Sequence, residues 1–516
     1  MPSVADIWES ILGVPARADE SFFALGGTSF MAARVLARVR RDLGVEVTLA
    51  RFLSAPCLGE FAALVAECRA ESGTTTVEEA TPEASWHPVN ANQAARLMRV
   101  RRAREEGITG WWSMTHLITA GYRIEGPVDR VRLTRAVEAV VRRHSAFRTA
   151  FSWAEERQQV VEAAELTLRQ ARSDEVSQAL EDLSAPLPLD KGVLGRFLLI
   201  EHEPERHEFW LAVEHIIADR SSIRVVLGEI GEYYRAGMLG VEPLVDPHPP
   251  TQNHEVGYIE DAFCTSAAGQ AAKEHWNRVV GGKSPWMGLV YEGSREPAAE
   301  ERQHSVRHRS VLDAGVAAAL TQRANRDGLA WLTVTVAALA RAVAERTAAS
   351  SVPIMVPVGN RDRQGLDGTV SFLSTMMPLS VPVVVDRPSP ETLAAVRELL
   401  LQSLTHASYP AHRLTREFAE EEWGHTQRRP LLYLDVDVAS GCDLVMHGCE
   451  VEEIPEGDGP VLWGIAVWVR IKGPTVSFEV AHPQGFLPEA ESARLAAALI
   501  EALHDLATTG GDEDDR

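Results

Sequence analysis

Glu214-His215-Ile216-Ile217-Ala218-Asp219-Arg220-Ser221-Ser222 is the stretch on which the reading of this chain turns. It follows an apolar run, Phe209 to Val213, that reads as a buried strand, and it leads into an amphipathic helical pattern from about Ser221. One strand-to-helix turn thus gathers a histidine, which titrates near neutrality, and two carboxylates. A His-x-x-x-Asp spacing alone specifies no reaction. A second stretch, Leu25-Gly26-Gly27-Thr28-Ser29, makes the claim specific.

The composition bounds what surrounds these stretches. A chain of 516 residues exceeds one ordinary core and suggests about three folding units. Its net charge of -22 argues against nucleic acid or an anionic membrane as a partner, since both demand a basic surface. No uninterrupted apolar run approaches the roughly 20 residues that span a bilayer. The N-terminal residues lack a basic region followed by an apolar core, so a cytoplasmic location is expected. The five cysteines, Cys57, Cys68, Cys264, Cys442 and Cys449, are mostly isolated and suggest no disulfide framework. Neither Cys-x-x-Cys nor His-Glu-x-x-His occurs, and no metal is expected.

Residues 1–70 read as a small all-α bundle. Val4, Ile7, Trp8, Ile11 and Leu12 share a helical face, as do Met31, Val35, Leu36, Val39 and Leu43, and then Leu58, Phe61, Leu64 and Val65. In the loop before the second helix, Gly26 and Gly27 permit backbone angles that other residues avoid, and Ser29 falls at the helix start. No Gly-Lys-Ser/Thr follows, which removes a P-loop reading. A serine there stands where free N–H groups and the helix dipole favour an anion. Residues 71–88, rich in Thr, Glu, Ala and Pro, read as a linker.

Beyond the linker, strand and helix patterns alternate through two similar α+β lobes, expected at 89–265 and 266–508. An acidic tail, 509–516, closes the chain.

The segment Asp19-Glu20-Ser21-Phe22-Phe23-Ala24-Leu25-Gly26-Gly27-Thr28-Ser29 resembles a peptidyl carrier protein. That resemblance implies 4'-phosphopantetheine carried on Ser29, with Gly26, Gly27 and Thr28 shaping the loop. Thr28 stands where the family more often has His or Asp. After residue 90 the chain resembles the condensation domains of nonribosomal peptide synthetases. Motifs fall in the family's order: Asn92-Gln93-Ala94-Ala95-Arg96-Leu97, Arg143-His144-Ser145-Ala146-Phe147-Arg148-Thr149-Ala150-Phe151, the 214–222 turn, Val356-Pro357-Val358-Gly359-Asn360-Arg361 with Phe372-Leu373-Ser374-Thr375, His406-Ala407-Ser408-Tyr409-Pro410, and Arg429-Pro430-Leu431. The resemblance implies a two-lobed, chloramphenicol-acetyltransferase-like condensation fold with a tunnel between the lobes. By position it makes His215 the residue beside the reacting amine, and it pairs Asp219 with Arg361.

Two positions depart from the family's His-His-x-x-x-Asp-Gly signature: Glu214 replaces the first His and Arg220 the Gly. Glu214 sets a carboxylate beside His215 that raises the imidazole pKa if the side chains approach, or it faces the other way as strand neighbours do, and Arg220 is a candidate partner for it. Glu214, Asp219 and Ser222 also keep the spacing of the related heterocyclisation signature, Asp-x-x-x-x-Asp-x-x-Ser. The reading adopted is a carrier fused to a condensation domain with no adenylation domain. Ser29 then presents a donor acyl thioester and the acceptor amine arrives on a carrier in trans. Expected partners are a phosphopantetheinyl transferase, adenylation domains in trans and that acceptor carrier. The alternatives are a non-catalytic, condensation-like domain that recruits a partner enzyme, and a heterocyclisation or ester-forming variant.

Overall fold

The computed structural model describes the chain apart from residues 1–2, 13, 23–24, 26–28, 46, 48, 72–84, 106–115, 163–165, 247, 282–292, 296, 299–300, 328, 348, 362–364, 384–389, 419–431, 440–441, 456, 458, 462–463 and 509–516. The acidic tail, most of the linker, Trp111-Trp112 and the Arg429-Pro430-Leu431 motif therefore lie outside the described residues.

The first unit is helical: α1 (Val4–Leu12), α2 (Ser29–Leu43), α3 (Leu49–Ser54) and α4 (Leu58–Glu71). Its core gathers the faces read from the sequence, with Ile7, Trp8, Val35, Val39 and Phe61 closed off from solvent. The Trp8 ring packs against Phe22, Phe52 and Phe61 with centroids 4.9, 6.0 and 6.0 Å away. Helix α3 is an addition to the three expected helices. Six residues are too few to show a helical period.

The chain then forms β1 (His87–Pro88), α5 (Ala91–Glu105), β2 (Leu117–Glu125), α6 (Arg130–Arg143), β3 (Thr149–Ser152), β4 (Arg157–Val160), β5 (Leu168–Arg172), α7 (Val176–Ser184), β6 (Gly195–Glu203), β7 (Arg206–Glu214) and α8 (Arg220–Leu239). Strands β2, β7, β6 and β5 lie side by side in that order. Leu133, Val137 and Val140 of α6, with Val226, Leu227 and Ile230 of α8, pack on one face of this sheet. Ala179 and Leu183 of α7 cover Leu198, Ile200 and Ala212 on the other. Covered on both faces, β7 is apolar at consecutive positions, which is why Phe209 to Val213 reads as a run rather than an alternation. Gly121 of β2 lies opposite Trp210 of β7, and a side chain there would meet the indole within 2.4 Å.

The second lobe holds α9 (Val256–Thr265), α10 (Ala267–Val280), β8 (Ser305–Val311), α11 (Ala314–Arg326), α12 (Trp331–Thr347), β9 (Ser351–Val358), β10 (Thr375–Pro382), α13 (Pro390–His406), α14 (Ala411–Phe418), β11 (Leu432–Ala439), β13 (Ile465–Lys472), β14 (Thr475–Pro483) and α15 (Glu489–Thr508), with β12 (Glu450–Ile454) between β11 and β13 in the chain. Its sheet runs β10-β9-β11-β13-β14-β8, with β11 parallel to both neighbours. Helices α11, α12, α13 and α15 bury their apolar faces on it.

One expectation needs correction. The lobes are not contiguous in sequence, because β12 joins the first lobe's sheet by pairing antiparallel with β2, Glu450 opposite Glu125. Leu444, Met446 and Val370 enter the first lobe's core with it. The exchange closes the otherwise open edge of β2, which would present unpaired N–H and C=O groups. The carrier is in contact with the second lobe: Arg40 of α2 pairs with Asp367, and α3 lies against α13.

Candidate functional site

His215 opens a single 3-10 turn, His215–Ile217, between β7 and α8. Its backbone N–H donates to the His116 carbonyl at 2.7 Å. The ring lies against the His116 ring, centroids 4.5 Å apart, and against Phe372 at 4.1 Å. Its Nδ1 is buried and has no partner among the described residues. Burial lowers the imidazole pKa to about 4, with only partial opposition from backbone hydrogen bonds and Asp219, so the ring is neutral at ordinary pH.

Asp219 is the N-cap of α8, its Oδ1 accepting from the Ser222 backbone N–H at 2.8 Å and from Ser222 Oγ at 3.0 Å. Arg361 reaches it with two prongs, Nη2 to Oδ1 at 2.8 Å and Nη1 to Oδ2 at 2.9 Å. The N–H groups of Leu373 and Ser374 donate to Oδ2 at 3.1 and 2.8 Å. Burial alone would raise this carboxyl, but Arg361 and the hydrogen bonds more than offset it and hold the pKa below the usual value. Ser222 Oγ also accepts from Arg361 Nη2 and lies 2.9 Å from the Ser371 carbonyl, which shares the one Ser222 hydroxyl hydrogen with Asp219. Arg361 leaves β9 through Asn360, whose φ of 51° is a conformation that asparagine tolerates better than most residues. The helix cap of one lobe and the crossing segment of the other are thus one buried polar knot.

Glu214 and His215 face different partners. Glu214 Oε1 accepts from Arg96 Nε at 2.9 Å, and Oε2 from the His116 backbone N–H at 3.2 Å. Both side chains of the Glu214–Arg96 pair are sealed, at 0% and 1% exposure. Burial raises the Glu214 carboxyl above its ordinary value, opposed in part by Arg96. The suggested Glu214–Arg220 pair is therefore corrected. Arg220 is the first residue of α8, turned outward by the Asp219 cap, and its Nη2 meets Asp437 Oδ2 of β11 at 3.1 Å. Arg224 joins the same carboxylate at 2.8 Å. Burial would raise Asp437, but these two cations bring it below its usual value.

Ser29 is the first residue of α2, a helix of 15 residues, and Gly26, Gly27 and Thr28 lie outside the described residues. Ser29 thus stands at a helix N-terminus, where free N–H groups and the dipole favour an anion. Among the described residues no group of three or more His, Cys, Asp or Glu side chains is arranged to hold a metal ion. No single described helix is long and apolar enough to cross a membrane.

Four residues beside His215 were not among the site residues expected from the sequence. Three of them, Asn92, Arg96 and Arg99, are four and three residues apart on α5 and so share a face. Asn92 Nδ2 donates to the Phe372 and Ser374 carbonyls at 3.0 and 2.9 Å, which ties α5 to the crossing segment. Arg96 fixes Glu214, while Arg99 has no ion pair among the described residues. The fourth, His116, is held well below its usual pKa by burial and by His215, Arg96 and Arg99, and burial with Arg99 brings His412 of α14 to about 3. The available signal was two arginines on one buried helical face. Two further histidines are structural: His144 Nε2 meets Glu229 of α8 at 2.8 Å, and His202 meets Glu208 at 3.1 Å.

Comparison with known proteins gives these elements a context. A family model described as "Condensation domain" matches residues 109–438, and one described as "Phosphopantetheine attachment site" matches residues 2–65. The chain is 24% identical over 418 residues to tyrocidine synthase 3 of Brevibacillus parabrevis, covering 80% of this chain and 6% of that protein. It is 25% identical over 423 residues to surfactin synthase subunit 1 of Bacillus subtilis (strain 168), covering 80% of this chain and 11% of that protein. The chain thus spans only a small fraction of these relatives. In fold it is similar to the X-domain from teicoplanin biosynthesis, with TM-score 0.68, 20% identity and coverage of 83% of this chain and 96% of that one. It is also similar to VibH, an NRPS condensation enzyme, with TM-score 0.66, 14% identity and coverage of 81% and 97%.

Proposed function

Because this chain belongs to the condensation-domain family of nonribosomal peptide synthetases, with a phosphopantetheine attachment domain ahead of the lobes, we propose that it forms an amide between a donor acyl thioester and an acceptor amine. Ser29 carries the phosphopantetheine, and the acceptor amine arrives on a carrier in trans. The observation that supports this reading is a neutral His215, its Nδ1 closed off from solvent, packed against the segment that crosses between the lobes. The amine nitrogen attacks the thioester carbonyl, a C–N bond forms, the C–S bond breaks, and the sulfur leaves as a thiol. A neutral imidazole accepts the amine's hydrogen, directs the nitrogen lone pair and takes up the proton that the thiol finally receives. Asp219 is already held by Arg361, Ser222 and two backbone N–H groups, so it keeps the turn in shape rather than moving a proton.

A heterocyclisation mechanism needs carboxylates free to act, and here Glu214 and Asp219 are both committed to buried ion pairs. The non-catalytic reading has one specific observation behind it. Both departures from the family signature place charges that the fold uses in ion pairs, Glu214 with Arg96 and Arg220 with Asp437. The X-domain of teicoplanin biosynthesis, similar in fold, forms a complex with OxyB. Under that reading the carrier would present its acyl group to a docked enzyme.

The test loads the protein with phosphopantetheine and an acyl group, adds an aminoacyl acceptor carrier, and follows both proteins by intact mass. The expected result is an acceptor heavier by the acyl group, with Ser29→Ala blocking loading altogether. Loading without transfer to any acceptor, together with tight binding of an oxidase, would establish the non-catalytic reading instead.

A further inference from the structure

The face of α5 that holds Glu214 carries a second guanidinium one turn on, and that charge has no counter-ion among the described residues. Arg96 is neutralised by Glu214, through Nε to Oε1 at 2.9 Å. Arg99 follows three residues later, on the same face. Its Nε is buried and has no hydrogen-bond partner among the described residues, and no described carboxylate forms an ion pair with it. The titratable groups that feel its charge are His116, His215, His412 and Glu214. The three imidazoles are all held neutral by burial, so they add no charge. Burial and the neighbouring Arg96 lower Arg99 to about 10, which leaves it cationic at neutral pH. Among the described residues two guanidinium groups on one helical face therefore stand with one carboxylate beside His215, a surplus of one positive charge.

Arg99 is partly buried with its Nε closed off from solvent, and a partly desolvated cation without a counter-ion gains from a ligand that completes it. A guanidinium is planar and rigid, and its fork matches a carboxylate with two parallel hydrogen bonds. We infer that Arg99 is a specificity-determining residue that binds a carboxylate on the substrate, so that the amide joins a group bearing an acidic side chain or a second carboxyl. This rests on the condensation reading above and deepens it by naming a substrate class. The carboxylate can sit on the donor acyl group or on the acceptor amine. Either source supplies the same chemistry, and the experiment separates them.

Two measurements test the inference. In the first, competing acyl transfer is measured on the loaded protein with aspartyl or glutamyl groups against asparaginyl or glutaminyl groups. The acidic residue is placed on the donor in one arm and on the acceptor in the other. The intact protein favours the acidic group ten- to a hundredfold in one arm, which identifies the carboxylate's source. Arg99→Met brings that ratio to about one, and Arg99→Lys keeps part of it. In the second, short pantetheine amides of glutamate and glutamine are titrated onto the protein by calorimetry. The glutamate compound binds the protein more tightly than the glutamine compound, and Arg99→Met abolishes the difference. This measurement needs no turnover, so it holds if the condensation reading fails. Arg99→Met should melt no lower than the parent protein, because the substitution removes an unpaired charge rather than a contact. Equal binding of the two amides overturns the inference. So does a loss in Arg99→Met that is the same for acidic and neutral groups, which would place Arg99 at the thioester oxygen instead.

Discussion

Among single residues, the protonation state of His215 decides what the site can do. Its imidazole is brought to about 4 by burial, against 6.5 for an ordinary histidine. The unfolded chain therefore binds a proton between those values that the folded chain refuses, and stability rises with pH across that window. The contribution is complete above pH 6.5 and is lost as pH falls towards 4. A shift of this size corresponds to about 3 kcal/mol, and His412 acts in the same direction. Denaturant unfolding between pH 7 and pH 4 should show a steep loss of stability, made shallower by His215→Asn. An unchanged slope in that variant would mean that the ring is protonated in the fold. The sequence showed where His215 stands but not its neutrality, since burial depends on His116 and Phe372 far away along the chain. It left the partner of Glu214 open for the same reason: Arg96 lies 118 residues earlier, and only folding brings the two together.

At the scale of elements, the knot of Asp219 with Arg361 joins the cap of α8 to the segment after β9. Removing one partner leaves the other charged and buried, so Asp219→Asn and Arg361→Met should each cost about 3 to 5 kcal/mol in unfolding free energy. The double variant should cost less than the sum. Additive losses in denaturant titrations would show that the two side chains act independently. This contact was legible in advance because two family motifs name its ends. Strand β7 was legible too, as an apolar run of suitable length. Short or exposed elements were not. Helix α3 has six residues, and β12, Glu450–Ile454, is mostly charged, so its place at the edge of β2 follows from pairing rather than pattern.

At the scale of the whole molecule, a small helical carrier precedes two lobes that exchange segments across their boundary. The crossing segment supplies Phe372 to the His215 ring, while Arg220 and Arg224 of α8 grip Asp437 of β11. The site is therefore a property of the closed pair of lobes, and no single lobe contains it. The carrier's contact with the second lobe, through Arg40 and Asp367, places a phosphopantetheine-bearing domain on the body it would serve.

One rate measures whether His215 assists amide formation. Single-turnover transfer from the acyl-loaded protein to an aminoacyl acceptor carrier, followed by intact mass, should proceed for the parent chain. It should fall by about 10²- to 10⁴-fold in His215→Ala, with loading and melting temperature retained. Transfer in that variant at the parent rate, or no transfer by the parent chain to any acceptor amine, would contradict the account.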